Sequence, residues 1–409
     1  MVDNLDHIDQ LEPLLPREAQ AEPLLEKAYD LIRSAERLAG QCQGSAKGAL
    51  VGLLRAMNSY YSNKIEGEHT RPVEITAAMT QDFSADPDKA RLQRLAVAHI
   101  TTEAWLYGKP KSTAEIYTLE GLCDIHGHLF DQLPADDRMV LMRNAANEDT
   151  ETLAAIPGQL RTRDVAVRRH QAPAHDAIAR MIARWGTVYG GVRRGELQLL
   201  AAAAAHHRLL WIHPFLDGNG RAARLQSLAV LQSLDLTQGL WSPLRGLARR
   251  AAEYGEKLSN ADMPRMGDLD GRGQRSERML VEWIDFFLDV CLDQVQFMTS
   301  MLDLPQLQNR IAALLAYEAQ VANSGLRMEA QLPLHYLFTQ GEMARGDFAR
   351  MTGLGERTAT TLIAKLLSAG LLVSDSPKGK VRFGVPLWSL RFLFPALWPE
   401  AEADTAAAR

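Results

Sequence analysis

The 409-residue chain carries 23% charged residues and a formal net charge of −5, so no overall basic excess marks it as a nucleic-acid binder. Its length allows two or three domains around a substantial core, and its three widely spaced cysteines, Cys42, Cys123 and Cys291, suit neither a disulfide framework nor zinc-ligand spacing. A start without a basic, then apolar, leader and the absence of any run of about 18 apolar residues lead us to expect a cytoplasmic protein with no membrane partner.

In chain order, the first twenty residues are acidic and broken by Pro13 and Pro16. They read as an extended arm, followed by a helix over about 24–39. A second amphipathic helix runs from Lys47 to near Gly67, and in its last turn Ser62 and Glu66 stand four apart on one face. Asn63 and Glu66 would equally suit a capping box opening a new helix. Helices are expected over about 88–107 and over 112–133. His126 and His128 lie in the latter, where a spacing of two turns the rings to different faces, so they read as structural or surface residues rather than metal ligands.

Residues 157–168 differ in character. Val165 and Val167 alternate with charges between Gly158 and Pro173, which suits a short hairpin. The Ala/Leu-rich stretch 196–211 contains no Gly or Pro and reads as a helix; His206 and His207 lie on it, and His206 reads as a core hydrogen-bonding residue. Residues 221–234 have helical apolar spacing, 241–262 are helical, 263–278 form a polar, Gly-rich loop, and 280–301 form an apolar helix.

Between the helices over 196–211 and 221–234 lies His213-Pro-Phe-Leu-Asp-Gly-Asn-Gly-Arg-Ala-Ala-Arg224. The glycines let the backbone turn sharply and approach a ligand, and N–H groups opening the second helix can converge on one anion. Arg221 and Arg224, three apart, supply planar donor forks on one face. Asp217 is a hard oxygen ligand suited to Mg²⁺, and His213 needs little tuning to take a hydroxyl proton. The residues alone point to a phosphate ligand without saying which phosphorus is attacked.

This twelve-residue stretch resembles the signature of the Fic family, filling its nine fixed positions from His213 to Arg224. The resemblance implies a mainly α fold, a Fic helical core with a short β-hairpin flap, and transfer of AMP from ATP to a Ser, Thr or Tyr hydroxyl of a target protein or of the chain itself. His213 would be the base, Asp217 would hold Mg²⁺, and Leu216, Gly218, Asn219, Gly220, Arg221 and Arg224 would bind nucleotide, with Arg224 on the γ-phosphate. Tyr254 would line the adenine side. Val165 and Val167 would belong to the flap that pairs with a target segment. Gly220 argues against a kinase-like branch with Lys at that place. Ser62-Asn-Lys-Ile-Glu66-Gly67 is similar to the family's inhibitory motif, in the class where it precedes the core; Ser62, Glu66 and Gly67 would set a carboxylate on Arg224. The same site run in reverse would remove AMP.

After a linking helix over about 306–323, the last stretch reads helix, Gly turn at Gly353, helix over 357–369, strand, basic hairpin, strand, and resembles a winged helix-turn-helix. Residues 331–398 hold eight Lys/Arg against four Asp/Glu. DNA contact through Arg357, Thr358, Thr360, Thr361 and Lys365, with Lys378 and Lys380 in the wing, and protein docking or homodimer formation are both open; an ATP-sensing DNA-binding regulator is the competing function. The expected division is an N-terminal helical region 1–104 carrying the inhibitory helix, a catalytic core 105–302, a linking helix 303–330, the winged unit 331–399 and a tail 400–409.

Overall fold

The computed structural model describes residues 5–41, 45–143, 149–167 and 170–407. Cys42 and the flap residue Arg168 lie outside them, while Cys123 and Cys291 are free thiols. In order come α1 (Glu18–Gln41), α2 (Ser45–Ile65), α3 (Pro72–Met79), α4 (Pro87–Gly108), the single turn α5 (Thr113–Ile116), α6 (Leu119–Asp131), strands β1 (Met139–Arg143), β2 (Asp149–Ala154), β3 (Ala166–Val167) and β4 (His170–Gln171). Next are α7 (Ile178–Gly191), α8 (Gly195–Ile212), α9 (Asn219–Ser233), α10 (Leu244–Arg249), α11 (Ala251–Ala261), α12 (Glu277–Met301) and α13 (Leu304–Gln320). The chain closes with α14 (Gln331–Gln340), β5 (Glu342–Met343), α15 (Arg345–Thr352), α16 (Glu356–Ser368), β6 (Leu372–Val373), β7 (Val381–Phe383), α17 (Leu390–Leu393) and α18 (Pro399–Ala407). The fold is mainly α with small antiparallel sheets.

Helix α8 is the axis of the core, packed against α1, α7, α9 and α12. Ala201 to Ala205 are all buried, so this helix has no polar face to offer solvent. Their small side chains leave backbone carbonyls open to tryptophan indoles: Trp185 donates to Ala205 O at 3.0 Å and Trp283 to Ala203 O at 2.6 Å. Such satisfied indoles fix how α7 and α12 sit on α8.

At four places the structure departs from the sequence reading or adds to it. The helix expected over 112–133 is broken at Tyr117 and Thr118, where the Thr118 hydroxyl accepts from Gly121 N–H and starts α6 afresh. The polar stretch 134–156 contains a hairpin, β1 paired with β2 from Met139↔Ala154 to Arg143↔Asp149. The N-terminal arm is docked: Arg208 donates to the carbonyls of Leu11 and Pro13, both at 2.9 Å, and Tyr189 to that of Leu14. The segment read as a tail over 400–409 is helical to Ala407, and α18 lies against α3. Helix α2 is buried around its girth from Ala56 to Asn63 because α4, α9 and α10 flank it on the core side while α14 and β7 cover another face.

Among the described residues, no helix is long and apolar enough to cross a membrane. After α13, the elements follow as helix, strand, two helices and two strands, with sheet order β5-β7-β6. Gly353, at φ +67°, makes the sharp turn between α15 and α16.

Candidate active site

His213 ends α8 in the left-handed region at φ 51°, and its N–H bonds to Leu209 O at 3.0 Å. That conformation turns the chain out of the helix and into the loop. The loop is closed by Asn219, whose side-chain oxygen accepts from Phe215 N–H at 2.9 Å while its amide donates to Phe215 O at 2.8 Å. The Asn219 side chain therefore shapes the turn, leaving its backbone to any ligand. Gly218 caps α9 at φ +75°, and a Cβ there would run into the Phe130 ring at 2.3 Å.

The N-terminus of α9 is a place for an anion. A Cβ on Gly220 would fall 2.1 Å from the Glu66 carboxylate, so that carboxylate lies directly over the glycine. Arg224 donates to Glu66 Oε1 at 2.6 Å and, from the same guanidinium, to the Ser62 hydroxyl and carbonyl, each at 3.0 Å. Burial works against the Glu66 charge, but Arg224 and then Arg221 outweigh it and hold the carboxyl below its ordinary range. Arg224 is itself only 1% exposed. Gly67, at φ +78°, lets the chain leave the end of α2; Asn63 and Glu66 do not open a new helix there, as α3 begins only at Pro72.

Arg221 donates to Asp217 at 3.2 Å and faces Glu68 at 3.3 Å. Its Nε has no hydrogen-bond acceptor among the described residues, and its Nη1 is the atom that faces Glu68 without a hydrogen bond, which leaves donors for another anion. Asp217 is partly exposed beside this nest. Among the described residues, no three His, Cys, Asp or Glu side chains gather to hold a metal. A Mg²⁺ on Asp217 would thus draw its other ligands from phosphate and water oxygens, as hard cations at phosphate sites commonly do.

The His213 imidazole is pushed down to about 4 by burial and by His170, against a hydrogen bond to the Leu210 backbone. It is neutral near pH 7, and the ring nitrogen not bonded to that carbonyl is the proton acceptor. Leu216 is partly buried and packs on the core.

Tyr254 is only 4% exposed and stands behind Arg224, with its hydroxyl 2.8 Å from His206 Nε2. His206 Nδ1 in turn meets the Ser227 hydroxyl at 2.8 Å. That chain lies beside the Arg224 guanidinium, whose charge acts on the Tyr254 hydroxyl. The flap is a two-residue ladder, Ala166↔Gln171 and Val167↔His170, shorter and later than the hairpin expected over 157–168. Val165 is partly buried just before it.

Two residues to which the sequence reading gives no part in the site hold the loop: Arg161, which it does not name, and His126, which it reads as structural or surface. Arg161, buried at 4% exposure, donates to His213 O at 2.8 Å, Pro173 O at 2.5 Å and Arg163 O at 2.8 Å, tying the base of the flap to the signature turn. His126 accepts from Gly158 N–H at Nδ1, 3.0 Å, so Nε2 carries the proton and donates to Asp217 O at 3.1 Å. Its ring is stacked on Phe215 at 3.9 Å and on Phe130 at 4.3 Å. His126 is therefore a positioning residue under Asp217. A buried Arg beside Gly158 and a His on an apolar helix face carry no local signal of these contacts.

A helical core presenting a glycine turn and two buried arginines at a helix N-terminus defines an anion-binding site on an α scaffold. Residues 116–231 match the family described as Fic/DOC. Over these residues the chain is similar to that family. A protein of Nematostella vectensis named "Protein adenylyltransferase Fic" is 29% identical over 175 residues, which are 42% of this chain and 36% of that protein, so the chain spans about a third of that relative's length. Solved structures similar to this chain include a Fic family protein from Desulfovibrio desulfuricans G20, at 17% identity over 88% of this chain and 96% of that one, TM-score 0.49. Fic-1 from C. elegans is 17% identical over 69% of this chain and 75% of that one, TM-score 0.46.

Proposed function

We propose that the chain is an autoinhibited protein adenylyltransferase that moves AMP from ATP to a hydroxyl side chain, of itself or of a target protein. The observation that carries this reading is the Glu66 carboxylate over Gly220 and on Arg224, an anion beside the α9 terminus and bound by the arginine that a terminal phosphate would use. The name of the Nematostella relative supports AMP as the group moved.

The hydroxyl oxygen attacks the α-phosphorus, its proton passes to His213, and the bond from that phosphorus to the bridging oxygen breaks to release pyrophosphate. Backbone N–H groups of Gly218 to Gly220 and the Arg221 fork hold the phosphates in line, where fixed donors stabilise developing charge. Mg²⁺ on Asp217 would neutralise the α- and β-phosphates. The flap, fixed to the His213 carbonyl by Arg161, would align an extended target strand through its main chain.

Mass analysis of the intact chain after incubation with ATP and Mg²⁺ tests this reading. An added AMP on the Glu66→Gly variant is expected; an added phosphate, or no adduct on wild type and variant alike, rejects AMP transfer.

A second reading concerns residues 331–383, whose element order is that of a winged helix. Arg357, Thr360, Thr361 and Lys365 are exposed on one face of α16, in the place of a recognition helix. The hydroxyls of Thr360 and Thr361 bond back to Glu356 O and Arg357 O, and Lys380 pairs with Glu342. DNA contact there would thus rest chiefly on Arg357 and Lys365.

A further inference from the structure

The turn of α2 that presents Glu66 is gripped from its other side by the far end of the chain. Tyr61 Oη donates to Glu400 Oε2 and Lys64 Nζ to Glu400 Oε1, both at 2.8 Å, across 339 and 336 positions of sequence. Arg71, just beyond the turn, bonds Asp404 at 3.0 Å. Trp398 is fully buried, its ring 5.7 Å from that of Tyr60. Arg245, on a helix packed against α2, donates to the carbonyls of Ala396 and Leu397 and so fixes the start of α18.

Glu400 lies in the first turn of α18, where the helix dipole favours its charge. Burial opposes that charge, but the bonds from Lys64 and Tyr61 hold the carboxyl below its ordinary range. Tyr61 and Lys64 are three apart and share a face, while Ser62 and Glu66, four apart, share the face toward Arg224. One helical turn therefore touches Arg224 on one side and α18 on the other.

We propose that α18 is a latch on the inhibitory turn, and that the C-terminal unit thereby sets how often Glu66 leaves Arg224. The proposal rests on the autoinhibition reading above. For Glu66 to make room for a γ-phosphate, the end of α2 must tilt or fray. While Glu400 holds Tyr61 and Lys64, that movement also breaks two charge-assisted hydrogen bonds and disturbs the Tyr60–Trp398 contact. Anything that displaces α18 loosens the inhibitory turn without touching the nucleotide site. Tight nucleotide binding in turn loosens α18, because coupling between two sites is reciprocal.

The test uses the full chain and two variants that cut the Glu400 bonds from opposite sides, Glu400→Gln, and Tyr61→Phe with Lys64→Met. Amide exchange over residues 58–65 is expected to quicken about tenfold in both, with residues 219–233 of α9 unchanged, as about 1.4 kcal/mol of lost contact would give. Self-modification with ATP should rise by a similar factor in the otherwise wild-type chain and not at all in a Glu66→Gly background, because there the group being latched is gone. Unchanged exchange over 58–65 overturns the latch alone. A further rise in the Glu66→Gly background overturns its action through Glu66. Equal activity of wild type and Glu66→Gly instead overturns the autoinhibition reading, and with it the purpose assigned to the latch.

Discussion

Arg224 binds Ser62 twice, through the hydroxyl and the main-chain carbonyl, while a third bond from the same guanidinium reaches Glu66. The arginine thus closes the carboxyl end of a helix as well as pairing a charge. A γ-phosphate arriving at Arg224 must compete with the whole end of α2. Blocking about 99% of productive binding needs about 2.7 kcal/mol, a magnitude that a shielded, hydrogen-bonded charge pair can supply. We expect Glu66→Gly to raise AMP transfer by about two orders of magnitude, and Glu66→Gly with Arg224→Ala not to, since the freed guanidinium is the group that gains the phosphate. Rates of self-modification for wild type, single and double variants decide it.

His213→Ala should abolish transfer while ATP still binds, because the phosphates are held by the α9 terminus and the arginines. General-base removal typically costs about 10² to 10⁴-fold. With the imidazole pushed down to about 4, transfer should be flat from pH 6 to 8 and fall only as the pH approaches 4, where the ring takes up a proton. Calorimetry showing that His213→Ala has lost ATP would mean that the ring serves binding rather than chemistry.

How far all this could be read before the fold was known depends on how local each feature is. The turn from His213 to Arg224 is contiguous, so its glycines, arginines and flanking helices stand together in sequence as they do in space. Glu66 was legible only through its short pattern after Ser62, since nothing near it in sequence names Arg224, 158 positions away. Arg161 and His126 act through backbone carbonyls of distant residues, which a sequence does not display. Tyr254 is read as lining the adenine side; that its hydroxyl also meets His206 follows from how α11 and α8 both pack on α12, which no local stretch displays. The same limit hid α18, whose short polar sequence gains a helix and a role only by docking.

Replacing His126 by Leu should weaken Mg-ATP binding about tenfold while keeping the helical content. The apolar side chain preserves the stack on Phe215 and Phe130 but orphans Gly158 N–H and removes the donor from the Asp217 carbonyl. An unsatisfied buried polar group costs about 1–3 kcal/mol, and part of that loss falls on the loop carrying Asp217. Titration calorimetry with unchanged affinity would reduce His126 to a packing residue.

If α16 contacts DNA, duplex retention at low salt should fall steeply with added salt, because each phosphate contact releases counterions. Arg357→Ala with Lys365→Ala should lower the slope of log affinity against log salt by about 2. Filter binding that retains no duplex at low salt leaves protein docking as the role of this unit.

The last expectation concerns acid. His99 and His206 are wholly buried, and burial first, then Arg224, pushes both imidazoles down to about 3. Unfolded, each would take a proton near 6.5, so between 6.5 and about 3 the unfolded chain binds protons that the folded chain refuses. Stability must fall as the pH drops through that window, by about 2 kcal/mol for each ring between pH 7 and 5. Glu103 acts with the opposite sign. Burial raises its carboxyl to about 7 against the bonds from Asn58, so below pH 7 the folded chain holds a proton that the unfolded chain releases until about 4.5, and acidification from pH 7 to 5 adds about 2 kcal/mol. The two histidines together outweigh it. Thermal melts should therefore show a lower midpoint at pH 5 than at pH 7, and Glu103→Gln, which keeps the neutral shape but cannot titrate, should make the drop larger. A Glu103→Gln profile parallel to that of wild type would show that Glu103 is not the group that offsets the buried imidazoles.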